Sequence, residues 1–313
     1  MGGVQAEPVQ KGKPSTRRDG AESLRLTKSR SHWTIAWARL RRDRLSLIAM
    51  AGFGLICLVA LAGPWLAEVV LHADPARQNM LRNFEPPGAQ NLLGTDDFGR
   101  DVLTRLIWGA RVSVGVGFAV AAISLTIGVV LGLLAGFYGG VLDDLINAII
   151  QTMLNIPLLF LVILLSVVFR PSPIGLAIIF GVTGWMGTAR QVRGVTFSVR
   201  EREFVMAARA LGATDRRIMG VHVLPNLMSL VLVIAGFDIA AAILAESGLS
   251  FLGLGIQPPL PSWGNMLSNS LEYIRRAWWL VAAPGTMIFL TVLCVFLLTD
   301  GLRDALDPSL SNR

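Results

Sequence analysis

The chain is poor in side chains that carry chemistry. Lysine occurs three times in 313 residues, at Lys11, Lys13 and Lys28. None can complete a phosphate-cradling GxxxxGK[ST] loop, so any nucleotide motor must sit on another chain. The two cysteines, Cys57 and Cys294, both lie in apolar runs. That excludes a disulfide framework and any CxxC metal pattern. The three histidines, His32, His72 and His222, are scattered, with no HExxH and no pair at helical spacing. Charged residues make up only 16% of the chain, against roughly 25% in a soluble domain. The net charge of +7 avoids the long apolar runs and collects at the N-terminal end and in one internal stretch. This distribution argues against a nucleic-acid surface.

What remains is apolar. Hydrophobic residues reach 53%, and the mean hydropathy is +0.58. A bilayer core about 30 Å thick needs roughly 20 apolar residues in a helix. Six segments qualify: 45–65, 112–137, 145–169, 174–188, 227–245 and 280–299. The fold class is therefore an all-α membrane protein with six transmembrane helices. Pro157 and Pro284 fall inside two of the segments and predict kinks. Eleven lysines and arginines lie in residues 1–44 and seven in 189–226. The positive-inside rule then places both termini and the 189–226 loop in the cytoplasm of a multi-pass plasma (inner) membrane protein. Trp65, Trp108, Trp278 and Trp279 fall at the outer interface, and Trp33, Trp37 and Trp185 near the inner one.

The division along the chain follows. Residues 1–30 form a basic, polar leader expected to be disordered. It is too long for a cleaved signal peptide, so the first apolar run is a retained anchor. Residues 31–110 hold an amphipathic lead-in, the first span and an external loop. In the lead-in, Trp33, Trp37 and Leu40 share a helical face among arginines, which reads either as a helix lying at the membrane surface or as ordinary positive-inside anchoring of the first span. Residues 111–300 form the transmembrane domain proper, and 301–313 a cytoplasmic tail. Gly128, Gly132 and Gly136 recur every fourth residue of the second span and predict close approach of another helix.

Between the fourth and fifth segments lies a polar insert, "EFVMAARALGATDRRIMGVHVLPN", running 203–226. Helix formers dominate up to Leu211, Gly212 is a natural left-handed stop, and Thr214 can cap a second helix reaching about Leu224. Ala207, Ala208 and Ala210 beside Gly212 leave a shallow surface. Phe204 and Leu211 supply apolar knobs and Arg209 a charge. Such a helix suits a groove on another protein, or it packs on the ends of its own spans.

Four acidic or amide residues fall within the apolar runs. Asp238 lies mid-span, and Asn147, Gln151 and Asn155 recur at four-residue spacing. They either line a translocation path or hydrogen-bond neighbouring helices. Glu246 and Ser247 open a Gly- and Pro-rich stretch that reads as an outer gate or a structured loop. Asp96, Asp97 and Asp101 suit the start of a helix, with Asp96 or Asp97 as cap, rather than a metal site.

The insert resembles the EAA motif of importer-type ABC permeases: EAA, three residues, Gly, nine residues, Ile-x-Leu-Pro. Ala207, Ala208, Gly212, Leu224 and Pro225 match. Met206 stands where the motif has Glu, and His222 where it has Ile; Glu203, one turn earlier, offers a carboxylate. "NLLGTDDFGRDVLTRLIWGARVSV" (91–114), "LAESGLSFLGLGIQPPLPSWGNML" (244–267), "DGLRDALDP" (300–308) and the lead-in 33–47 are similar to the C-type inner-membrane subunit of dipeptide/oligopeptide and nickel importers. The resemblance implies six spans, with spans two to six as the importer core and the insert as cytoplasmic coupling helices. It implies a second homologous permease subunit, two ATPase subunits and an extracytoplasmic substrate-binding protein. ATP–Mg then sits on the ATPases, and this chain binds no cofactor or metal and is not an enzyme. Glu203, Phe204, Ala207, Ala208, Arg209, Leu211, Gly212, Leu224 and Pro225 become the coupling contacts. Cargo is expected to be peptide, with nickel, glutathione or another small solute as the alternative.

Two rival classes fare worse. An intramembrane enzyme needs a catalytic set inside the spans, and no histidine lies there. An ion-driven carrier or a channel has no use for a docking insert and usually shows internal repeats, which are not evident.

Overall fold

The computed structural model describes residues 32–69, 74–169, 172–268 and 270–306. The expected leader, Arg170 and the tail beyond residue 306 lie outside the described residues. Secondary structure among these is helical apart from one isolated bridge, Thr95 to Asp101.

A short helix α1 (His32–Leu40) precedes α2 (Arg44–Val69). The long α3 (Val102–Tyr138) follows a loop, then α4 (Gly140–Leu154), α5 (Leu158–Phe169) and α6 (Pro173–Arg200). Next come α7 (Glu203–Ala210), the single turn α8 (Asp215–Arg217), a π-helical turn over Ile218–Val223 and α9 (Leu224–Phe251). The short α10 (Trp263–Leu267) and the long α11 (Trp279–Leu306) complete the chain.

Among the described residues, four segments are long and apolar enough to cross a membrane: Arg44–Val69, Val102–Tyr138, Asp215–Phe251 and Trp279–Leu306. The pair α4 and α5 makes a fifth if taken as one span, but it bends by 79°. The expected kink at Pro157 is thus a break. Pro157 cannot donate to Met153 and its ring disfavours helix in Ile156, so the chain turns between Asn155 and Pro157. Helix α11 runs unbroken through Pro284.

The central element is α3, against which α2, α6 and α9 all pack. It starts ten residues before the expected 112, because Arg105 and Arg111 interrupt the apolar run without interrupting the helix. The glycine stripe faces α6. A Cβ on Gly128 would lie 2.6 Å from the Thr188 Cβ, one on Gly132 2.5 Å from the Ala189 carbonyl oxygen, and one on Gly136 2.7 Å from the Arg193 carbonyl oxygen. Only glycine permits this approach, and the resulting backbone contact replaces the hydrophobic drive that lipid does not supply.

The cap of α3 is Asp101, which accepts from the Thr104 N–H at 2.8 Å and the Thr104 hydroxyl at 2.7 Å. Asp96 and Asp97 were the expected caps and are not. The chain reverses through Gly99 at φ 67°, so the helix cannot begin until Val102. Asp96 instead pins that reversal, accepting from the N–H groups of Phe98 and Arg100 at 2.9 Å each.

The tryptophans of the expected belt differ in exposure. Trp185 is buried among α3, α4 and α6. Trp279 is buried and donates to the Thr95 carbonyl at 3.1 Å. Trp37, Trp65 and Trp278 are exposed. The lead-in face also splits, since Leu40 packs with Ala36 against Ala305 of α11 while Trp37 stays exposed under Arg41.

Candidate functional site

At one end of the bundle, α7 lies across the ends of α6 and α9. Its C-terminus closes as a Schellman motif: the Ala213 N–H donates to the Ala208 carbonyl at 3.1 Å, and the Gly212 N–H to the Arg209 carbonyl at 3.0 Å. Gly212 takes φ 83°, the left-handed position that glycine fills without strain. Thr214 holds the cap position of the next helix but makes no side-chain cap bond.

The second helix of the insert is not separate. From Asp215 the chain runs into the next span without a break, through Pro225, to Phe251. Pro225 lacks the N–H that the ladder needs, and the π turn just before it absorbs the mismatch. Within it the Leu224 N–H reaches the Met219 carbonyl, and Asn226 Nδ2 donates to the His222 carbonyl at 2.6 Å.

This insert has two faces. Val205 is buried with Val192 and Val199 of α6, Ile218 and Val223 of the π turn, and Leu227 of α9. Ala208 and Ala213 pack partly against the same cluster. On the other face Phe204, Met206, Ala207, Arg209 and Leu211 are exposed, with Leu211 at 89%. Glu203, Gly212 and Pro225 are also exposed, and Leu224 is half-buried. Packing on its own spans and presenting a surface are therefore not alternatives, because each occupies one face. Arg209 and Asp215 form a 3.9 Å exposed pair, of the kind worth about 0–1 kcal/mol.

Two contacts that the sequence did not disclose brace this end. Arg193 grips Asp143 at the start of α4, Nε to Oδ1 at 2.5 Å and Nη2 to Oδ2 at 2.6 Å. Arg200 Nη1 donates to the carbonyls of Gly136 and Phe137 at 3.0 and 3.1 Å, satisfying the C-terminus of α3. Both link residues at least 50 positions apart, a separation at which no local spacing gives a signal.

The polar residues of the expected path do not meet at one point. Asn147 is half-buried and donates to Asp143, at 2.8 Å to Oδ1. Gln151 and Asn155 are exposed farther along α4, ending at the break before α5. Asp238 sits apart on α9, half-buried against α6, where it accepts a long 3.4 Å bond from Thr188.

At the opposite end Glu246 is fully buried among serines. It accepts from Ser113 at 2.8 Å and Ser250 at 2.7 Å. Ser113 in turn accepts from the Trp263 N–H at 3.2 Å, and Ser250 from the Ile256 N–H at 3.0 Å. One carboxyl thus ties α3, α9 and α10 together. Among the described residues no group of three or more His, Cys, Asp or Glu is placed to hold a metal.

Comparison with known proteins agrees with this architecture. Residues 128–312 match the model of the binding-protein-dependent transport system inner membrane component. Residues 31–87 match the N-terminal transmembrane domain of oligopeptide transport permease C. The chain is 40% identical over 283 residues to the dipeptide transport system permease protein DppC of Bacillus subtilis, covering 90% of this chain and 87% of that one. It is 40% identical over 284 residues to the di/tripeptide transport system permease protein DppC of Pseudomonas aeruginosa, covering 88% and 92%. Against the oligopeptide transport system permease protein OppC of Bacillus subtilis it is 36% identical over 297 residues, covering 95% and 96%. With more than half its length matched and identities of this order, the chain belongs to the family of binding-protein-dependent transport system inner membrane components.

Proposed function

We propose that this chain is the transmembrane subunit of an ATP-driven importer and forms half of the path for di- or oligopeptides delivered by an external binding protein. The observation that carries the reading is its likeness, over nine-tenths of the chain, to permeases named for dipeptides and oligopeptides. ATP–Mg is held by two partner ATPase subunits, and a second homologous permease completes the path. The chain itself contributes no catalytic group.

The exposed face of α7 is the ATPase contact. Phe204 and Leu211 enter a groove, Ala207 and Gly212 let its wall come close, and Arg209 and Glu203 supply charge at the rim. The buried face explains how force passes on. Val205 is seated between α6 and α9, and close-packed interiors transmit displacement rather than absorb it. Moving α7 therefore moves both helices, and closure of the ATPases biases a two-state bundle between its outward and inward forms. The bent pair α4–α5 and the helix α6 complete a six-span count, with both termini and α7 in the cytoplasm. Asn147, Gln151 and Asn155 on α4 face the path. Asp238 lines it from α9.

Uptake of a labelled dipeptide, a labelled longer peptide and nickel ion, in cells with and without the gene, tests the reading. Loss of peptide uptake alone is expected. Loss of nickel uptake alone would keep the family and overturn the cargo.

A further inference from the structure

At the end of the bundle away from α7 lies a cavity of about 150 Å3 beneath the loops. Its apolar wall includes Val102, Ile256 and Leu280, and its polar wall carries Asp96, Asp97, Arg100 and Arg105. Asp96 and Arg105 are only 7% and 5% exposed. Asp96 is satisfied, with Arg100 Nε at 2.7 Å and Arg105 Nε at 3.5 Å.

Arg105 and Asp97 are less well served. Arg105 Nη1 is buried with no hydrogen-bond partner. A buried donor on a charged group is costly to leave unmade. Asp97 has only a 3.6 Å contact with Arg100 Nη2. Burial, and then the charge of neighbouring Asp96, hold its carboxyl above the usual carboxylate range. The site therefore holds an unmet donor at Arg105 and, at Asp97, a carboxylate paired only at long range.

A metal cation entering this cavity meets two guanidinium groups, and a simple anion meets two carboxylates. A small molecule with both charges avoids either conflict. We propose that the cavity binds a small zwitterionic peptide, its carboxylate on Arg105 and its ammonium on Asp97. The proposal rests on the peptide-import reading and adds a binding site on the permease itself, remote from Asp238 and the α4 stripe.

The test uses the detergent-purified complex that contains this chain, without the external binding protein, and saturation-transfer NMR with three probes. These are alanyl-alanine, its C-terminal amide and its N-acetyl form. Alanyl-alanine is expected to bind, and each blocked form to bind about tenfold to a hundredfold more weakly, the loss of one charge-assisted bond. Asp97→Asn should weaken alanyl-alanine by a similar factor and leave the N-acetyl form unchanged. Arg105 is too buried for its substitution to be a safe test alone, whereas Asp97 is 35% exposed and tolerates the change. Absence of saturation transfer, or equal weakening of all three probes by Asp97→Asn, overturns the site and leaves the cavity to water. If cells with the same complex still import alanyl-alanine, only this inference falls. If they import no peptide, the import reading falls with it.

Discussion

Arg193 and Asp143 face each other as a two-pronged ion pair, 2.5 and 2.6 Å long, joining α6 to the first turn of α4. The aspartate side chain is 13% exposed and the arginine 33%. The pair fixes where α4 leaves the bundle, and so where its polar stripe points. Asp143→Asn removes the charge that the guanidinium fork grips, and a thermal melt of the purified protein should fall by the equivalent of roughly 1–3 kcal/mol. Arg193→Lys should recover only part of it, because an ammonium cannot make both bonds. Equal melts for Arg193→Lys and the parent would show that the fork geometry is unimportant.

Gly212→Pro attacks the turn after α7. Proline fixes φ near −65°, far from the 83° found here, and deletes the N–H that reaches the Arg209 carbonyl. The chain should still insert in the membrane at normal abundance, while ATPase co-purification and transport are lost. Transport at the normal rate would refute the assignment of residues 203–225.

Gly132→Leu forces a side chain into the backbone contact between α3 and α6, where even a Cβ would sit 2.5 Å from the Ala189 carbonyl oxygen. Overpacking of this kind costs about 1–3 kcal/mol or more. The variant should melt earlier and be extracted in lower yield. The same change at Gly115, which has open space around it, should be close to silent. Equal behaviour of the two would mean that the stripe is not a packing surface.

Glu246→Ala leaves the hydroxyls of Ser113 and Ser250 without their acceptor in a fully buried site. Each unsatisfied group costs about 1–3 kcal/mol. Glu246→Gln keeps one acceptor oxygen and turns the other into an NH2 donor, so it should lose one of the two serine bonds and be milder than alanine but not silent. A melt in which the glutamine variant is as unstable as the alanine variant would mean that the hub needs both acceptor oxygens.

Much of this was legible in the sequence because apolar length and glycine spacing are local signals. The stripe at Gly128, Gly132 and Gly136 announced a close helix contact, and the Gly212 stop was visible from its neighbours. Helix ends were less legible. Arg105 and Arg111 look like a loop by hydropathy, yet α3 runs through both. The insert's second helix also read as separate, since Pro225 normally marks a boundary, whereas the π turn carries the chain past it. Contacts such as Arg193 to Asp143 or Trp279 to Thr95 depend on long-range folding and leave no trace in spacing. Tryptophan burial was equally illegible: position along a span does not tell which face of the helix a side chain takes.

The two faces of α7 give the most direct test. In cells lacking the gene, the parent chain and Leu211→Asp are each supplied, and labelled dipeptide uptake is measured beside membrane abundance and ATPase co-purification. Leu211 is 89% exposed and touches none of the buried cluster, so the variant should fold and insert normally. The parent is expected to restore uptake, and Leu211→Asp to give normal abundance but neither uptake nor a bound ATPase. Full uptake through Leu211→Asp would contradict the docking of α7, and failure of the parent chain to restore peptide uptake would contradict the cargo.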